Sequence, residues 1–153
     1  MITDTVSLFS KILPQRGRVL GLDLGAKRIG IAISDPSRKI ASPLYTLQRT
    51  KFTKDASKIK SLCHDDGVKG LIIGLPINMD GSSGKASQSI KSKANKISKK
   101  INTPISLWDE RLSTVGAFNL SSELDINVSK RTKNLDGKAS AFMLQGAIDY
   151  LNN

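Results

Sequence analysis

The sequence predicts an α/β fold, a five-stranded mixed sheet with helices on both faces. Three observations carry that prediction. Two apolar runs joined by a short glycine-containing link form an antiparallel hairpin. From residue 52 onward, stretches with apolar residues at helical spacing alternate with short apolar runs, the order that interleaves helices with strands. One of those runs, Lys69 to Leu75, is apolar and β-branched almost throughout, as expected of a strand covered on both faces.

Taken in order, residues 1–17 are an N-terminal extension, with a short helix from Thr3 to Leu13 closed by Pro14 and Gly17. Residues 18–153 form a single domain. Its first strand is Arg18 to Leu24, and after Gly25-Ala26-Lys27 the second is Arg28 to Ser34. Ile40 to Leu47 is a third, demoted to a sheet edge by Pro43. Phe52, Ala56, Ile59, Leu62 and Cys63 recur at helical spacing before Asp65-Asp66-Gly67 ends the run. The Lys69–Leu75 strand follows, then a loop through Pro76 to Gly81. A lysine-faced helix has the stripe Ala86, Ile90, Ala94, Ile97 and Ile101. Pro104 to Trp108 is the fifth strand, Ser113 caps a short helix to about Leu124, and a polar basic loop spans roughly 125–135. A last helix starts at Asp136, with Ala139, Phe142, Met143, Ile148 and Leu151 as its packing stripe. The order βββαβαβαα is that of the ribonuclease-H-like fold, with right-handed crossovers.

Composition narrows the function classes. A chain of 153 residues with 39% apolar and 24% charged residues builds one ordinary core. No apolar run is long enough to span a bilayer, and the start carries Asp4 without a secretory pattern, so a cytoplasmic protein with no membrane partner is expected. The single Cys63 rules out an internal disulfide or a thiolate cluster within one chain. Beside His64 on the helical stripe, it reads as a small hydrophobe. The charge is the functional clue. Lys and Arg number 24 against 13 Asp and Glu, a net +11 that favours polyanions, with nucleic acid first among them. The stretch from Lys85 to Lys100 holds six lysines and no acid, which forgoes i,i+4 pairing and favours a binding role over a merely solvated face. Aromatics, at 5%, are too few for a base-stacking platform.

In so basic a chain the placement of acids matters. Asp23 ends an apolar strand beside a glycine turn, where it either accepts backbone N–H bonds from the turn or ligates a metal. Asp109-Glu110-Arg111 follows the fifth strand directly, as an exposed ion pair next to a helix cap or as part of a site. Asp136 at the start of the last helix is by itself a good cap. Three acids at strand ends and a helix start can converge on one sheet edge. Carboxylates brought together repel unless cations bridge them, and hard oxygen ligands suit Mg²⁺ or Mn²⁺, two of which can drive phosphodiester hydrolysis.

Asp23 to Ala32, Gly74 to Gly81, Asp109 to Thr114, and Asp136 with Ala139 to Gln145 stand in the order of the motifs of the YqgF/RuvX family, which the sequence resembles across residues 18–151. The resemblance implies a ribonuclease-H-like fold related to the RuvC Holliday-junction resolvases. It implies a bacterial cytoplasmic endonuclease that matures the 5′ end of the 16S ribosomal RNA precursor, with precursor ribosomal particles as candidate partners. It places Asp23, Glu110 and Asp136 as the catalytic, metal-binding acids, with Asp109 as a substitute for Glu110 and Mg²⁺ or Mn²⁺ as cofactor. Lys27 and Arg28 would face substrate phosphate, and Asn78, Arg111 and Lys138 join them as substrate-binding residues. Ser140 stands where the family more often has alanine, and residues 1–16 lie outside the resemblance. The same acids and fold would serve a resolvase of DNA junctions. A nucleic-acid-binding, transcription-associated factor that never cuts is the alternative from another class. A sugar-kinase or actin-like ATPase shares the Asp-x-Gly strand turn, but its two-lobed clamp needs roughly twice an ordinary domain.

Overall fold

A computed structural model describes residues 2–3, 6–76, 84–110 and 135–152, with the backbone alone described for residues 3, 6, 7 and 135–137. The elements are β1 (Ile2–Thr3), α1 (Val6–Ile12), β2 (Arg18–Leu24), β3 (Arg28–Ser34), β4 (Ala41–Gln48), α2 (Phe52–Asp65), β5 (Val68–Leu75), α3 (Lys85–Lys100), β6 (Ile105–Asp109) and α4 (Leu135–Leu151). All five expected strands are present, and two residues of the lead-in add a short sixth at the sheet edge. The short helix expected over 113–124 and the loop after it lie outside the described residues.

The sheet order is β1-β6-β5-β2-β3-β4. β2, β3 and β4 form an antiparallel meander, while β2, β5, β6 and β1 run parallel. β4 is an edge strand, which is where Pro43, with no N–H to give to a ladder, can be tolerated. The parallel half brings the C-terminal ends of β2, β5 and β6 side by side.

Strand alternation sends each strand's apolar residues to two separate cores. Leu20, Leu22, Ile29, Ile31, Leu71, Ile73, Ile105 and Leu107 pack against α2 and α3 through Ala56, Ile59, Cys63, Ile90, Ala94 and Ile97. On the other face, Val19, Ala32, Ile72 and Trp108 meet Phe9 of α1 and Met143, Leu144, Ala147 and Ile148 of α4. Cys63 is a buried member of the first core, its thiol pushed up to about 11 by burial and then by the nearby Asp66, while His64 is exposed. The thiol is therefore an inert hydrophobe.

Three expectations are corrected here. The lead-in helix spans Val6–Ile12 rather than Thr3 to Leu13, with Ile2–Thr3 taken by β1. The α3 stripe begins at Ser87, not at the exposed Ala86. Ser87 is fully buried because its hydroxyl donates to the Pro76 carbonyl at the end of β5. In α4, Phe142 is 37% exposed and Leu144, about 200° further round the helix, is buried, in a helix apolar on most sides.

The edge of the sheet away from these strand ends is knotted by side chains. The Arg38 guanidinium donates to the carbonyls of Gly17, Pro14 and Gln15 at 2.8, 2.6 and 3.0 Å. Gln145 of α4 donates to the Lys39 carbonyl at 2.9 Å and accepts from the Ala41 N–H at 2.8 Å, and the Asn152 amide donates to the Arg38 carbonyl at 2.7 Å. The C-terminal half of α4 is thus fixed at the β3–β4 turn. Its N-terminal half points toward the ends of β2, β5 and β6.

The close approach of α4 to the sheet depends on Gly21, because a Cβ built there would stand 2.9 Å from the Leu144 Cβ. Gly21→Ala must push α4 off β2 and should lower unfolding free energy by about 1–3 kcal/mol, as overpacking does. Urea titration followed by fluorescence of Trp108, the single tryptophan and a residue of the same layer, measures both the loss and the displacement.

Candidate active site at the parallel strand ends

Asp23 is the sixth residue of the seven-residue β2. In register Leu22 faces Ile73 of β5, so Asp23 stands one step further, level with Gly74, which in turn pairs with Trp108 of β6. Val19, Gly21 and Asp23 alternate onto the α4 face, as do Ile72 and Gly74 of β5 and Trp108 of β6. Glu110 follows β6 and continues this face. Its carboxylate lies over Gly74, where a built Cβ would come within 2.5 Å of Oε1. Any side chain at 74 would occupy the place of the Glu110 carboxyl group.

Asp23 and Glu110 therefore come from neighbouring parallel strands onto one face. Burial first, then the negative charges of Asp23 and Asp109, together push the Glu110 carboxyl up to about 7. Asp109 pairs with Leu75 and alternates with Leu107 onto the opposite face, toward α2 and α3. Register separates two acids that are adjacent in sequence.

The β2–β3 turn closes on main-chain groups. The Gly25 N–H donates to the carbonyls of Asp23 and Arg28 at 3.1 and 2.9 Å, and a Cβ at residue 25 would stand 2.6 Å from the Arg28 carbonyl oxygen. The turn N–H is thus directed to main-chain oxygens and not to the Asp23 carboxylate. Lys27 at its tip is exposed and Arg28 half-buried.

Asp136 is the second residue of α4. Residues 136, 140 and 144 form an i,i+4 row whose members Ser140 and Leu144 are fully buried, and Leu144 packs on Gly21. Eight residues before Leu144, the backbone of residue 136 lies about 12 Å further along the helix axis. That is the direction in which Asp23 lies from Gly21. Lys138 is exposed and lines a groove of about 420 Å³ between α4 and the edge strand β4, two strands away from the acids. Asn78 and Arg111 lie outside the described residues.

Two contributors were not singled out from the sequence. Gly74 reads there as the end of an apolar run and the start of a loop motif, and the cradle it makes for Glu110 shows only in the β5–β6 register. Arg49 reads as one base among several, yet its guanidinium donates to the Gly25 and Ala26 carbonyls at 3.2 and 3.3 Å and so braces the turn after Asp23.

The donors at this edge suit a hard divalent cation: they are carboxylates, without histidine or thiolate, and their mutual repulsion is what a cation would relieve. Among the described residues no three acidic, histidine or cysteine side chains close on one point. Asp23 and Glu110 are the two carboxylates that the described residues bring onto this face.

A family description, RuvX: Holliday junction resolvase, matches residues 17–150. The chain belongs to the RuvX family. A relative from Pelagibacter ubique named "Putative pre-16S rRNA nuclease" is 54% identical over 136 residues, covering 89% of this chain and 90% of its own. One of the same name from Paracoccus denitrificans is 45% identical over 151 residues, covering 99% and 96%. Residues 1–16 thus fall within the span matched by a relative. Among solved structures, Thermus thermophilus RuvC in complex with Holliday junction substrate matches with a TM-score of 0.56 at 10% identity, covering 88% of this chain and 94% of that one. The yeast mitochondrial Holliday junction resolvase Ydc2 matches with a TM-score of 0.51 at 12% identity, covering 96% and 84%. These two likenesses establish the fold, which is the ribonuclease-H-like fold of the RuvC resolvases.

The Glu110 environment has a consequence for stability. A carboxyl whose folded value, about 7, stands above its ordinary 4.5 contributes stability below 4.5 that is lost as pH rises through 7. In chelator, the unfolding free energy should therefore fall between pH 4.5 and 7, and Glu110→Gln should flatten that fall. Denaturant titrations across this range would show it, and an equal slope in the variant would place the fall elsewhere.

Proposed function

We propose that this protein is a metal-dependent endonuclease that hydrolyses phosphodiester bonds in structured RNA and matures the 5′ end of the 16S ribosomal RNA precursor in the cytoplasm. The observation that carries the reading is the Glu110 carboxylate laid over Gly74 on the face and at the strand ends that bear Asp23. Family membership and the relatives' name support the hydrolytic class and the RNA substrate.

Asp23 and Glu110, with Asp136 from α4, would hold Mg²⁺ or Mn²⁺. Bound there, the metal supplies Lewis acidity toward a phosphoryl oxygen and lowers the pKa of water. The chain's own contribution is to fix the carboxylates on a rigid sheet edge. Asp23 is set by the β2 ladders and the main-chain turn at Gly25, and Glu110 by its seat on Gly74. Asp109 faces away and would not replace Glu110. Glu110 can hold a proton near neutrality in the metal-free protein and release it when a cation binds. Lys27 and Arg28 at the adjacent turn would take substrate phosphates, as would Asn78, Arg111 and Lys138.

Incubation of purified protein with precursor ribosomal RNA and with a four-way DNA junction tests the reading. Cleavage of the RNA is expected with Mg²⁺ or Mn²⁺ and should be lost in chelator, while Zn²⁺, which prefers nitrogen and sulfur donors, should not restore it. Cutting confined to the junction would make the protein a resolvase, and full activity in chelator would exclude the metal mechanism.

Asp23→Asn provides the sharper test. Removing one of several repelling charges should hold or raise the melting temperature in chelator. Mg²⁺ should stabilise wild type through preferential binding to the folded state and stabilise the variant much less, with cleavage lost and RNA binding kept. A purely structural carboxylate predicts equal losses in both buffers, of about 1–3 kcal/mol.

A further inference from the structure

On the face opposite the paired acids, the same sheet edge carries a second concentration of charge. Arg49 leads β4 into α2. Its main-chain N–H donates to the Lys27 carbonyl at 3.0 Å, and its guanidinium donates to Gly25 and Ala26 of the turn that follows Asp23. Helix α3 is laid against the start of α2 by two of its lysines. The Lys100 ammonium donates to the Thr53 carbonyl at 3.2 Å, and the Lys96 ammonium stands 5.9 Å from the centroid of the Phe52 ring.

Lys93 precedes Lys96 by one turn on the same helix and is half-buried. Its ammonium is held below the ordinary value by burial first, then by the positive charges of Arg49 and Lys96. No carboxylate pairs with Arg49, Lys93 or Lys96 among the described residues. The acid nearest in sequence, Asp55, is fully buried and accepts from the Thr50 N–H and hydroxyl at 3.2 and 2.8 Å. Three cations are therefore gathered by rigid elements at a cost in mutual repulsion that no ion pair among the described residues offsets. An external anion with several acceptor oxygens would relieve that cost, and a phosphodiester matches both the charge and the donors.

We infer that Arg49, Lys93 and Lys96 form a binding site for a non-scissile backbone phosphate of the nucleic-acid substrate. Asp23 and Glu110 lie on the α4 face and this site on the α2/α3 face of the same strand ends, so the bound strand crosses the edge of the sheet from one face to the other. The inference rests on the nucleic-acid reading above and adds a second fixed point to it. Arg49, already bonded to the turn after Asp23, ties the two points together mechanically.

The test measures affinity for a fluorescent hairpin RNA in chelator, where nothing is cut, over a series of salt concentrations. The protein carries Asp23→Asn, so binding is separated from hydrolysis. Lys93→Gln/Lys96→Gln should weaken binding about tenfold at moderate salt. With two cations removed from the phosphate backbone, the slope of log affinity against log salt should shrink by about 1.4–1.8. Adding Arg49→Gln should deepen both effects. Lys60→Gln, at the other end of α2, should change the slope by no more than a single surface charge does. Because Arg49 also braces a turn, melting temperatures accompany each variant, and the double lysine variant decides the matter without touching Arg49. An unchanged slope in the double variant while the parent binds RNA would overturn the site and leave the nuclease reading intact. Failure of the parent to bind RNA at all would overturn both.

Discussion

Glu110 lies where it does because residue 74 has no side chain. Parallel strands β5 and β6 run in register, so a side chain one residue past β6 leans back over β5 at the level of Gly74, and β2 brings Asp23 to the same level from the other side. The acidic pair follows from that single close approach. Burial that a well-packed sheet gives freely to Ile72 or Trp108 becomes costly when it reaches Glu110, and the raised pKa of that group expresses the cost. Two negative groups forced together on a rigid frame form a site that is incomplete without positive charge.

Much of this was legible in the sequence. Strands with a strict alternation or a continuous apolar run, such as Arg18–Leu24 and Lys69–Leu75, announce themselves, and Pro43 marks the edge strand by chemistry alone. Other features depend on information that no local pattern contains. Ser87 looks polar and is buried because a carbonyl eleven residues earlier receives its hydroxyl. Leu144 rather than Phe142 enters the core because α4 meets a glycine on β2, not because of its own periodicity. Asp109 and Glu110 are interchangeable as letters at a strand end, and only the β5–β6 register assigns them to opposite faces. Arg49 is one base in a basic stretch until its carbonyl partners in a distant turn are known.

Stability and chemistry occupy opposite ends of the same sheet. At the β3–β4 turn, Arg38, Gln145 and Asn152 direct amide and guanidinium donors at backbone carbonyls, so the lead-in, the edge strand and the last helix are joined by satisfied hydrogen bonds. The Asp35 carboxylate, held well below the usual range by bonds from the Ile40 N–H, the Ser37 hydroxyl and the Lys39 N–H, belongs to that knot. At the other end, like charges are gathered on both faces, Asp23 and Glu110 on one and Arg49, Lys93 and Lys96 on the other. The knotted end holds the frame against the repulsion gathered at the functional end.

The position of α4 in the chain gives this arrangement a timing. It follows every other described element, so during synthesis Val19, Ala32, Ile72 and Trp108 have only Phe9 of α1 against them until the last helix docks. Asp136 travels with that helix. A nascent chain can build the sheet and its α2/α3 core, and can gather the Arg49, Lys93 and Lys96 cluster, before Asp136 is made. On the function proposed above, affinity for RNA precedes the capacity to cut it, and only a fully packed molecule carries both.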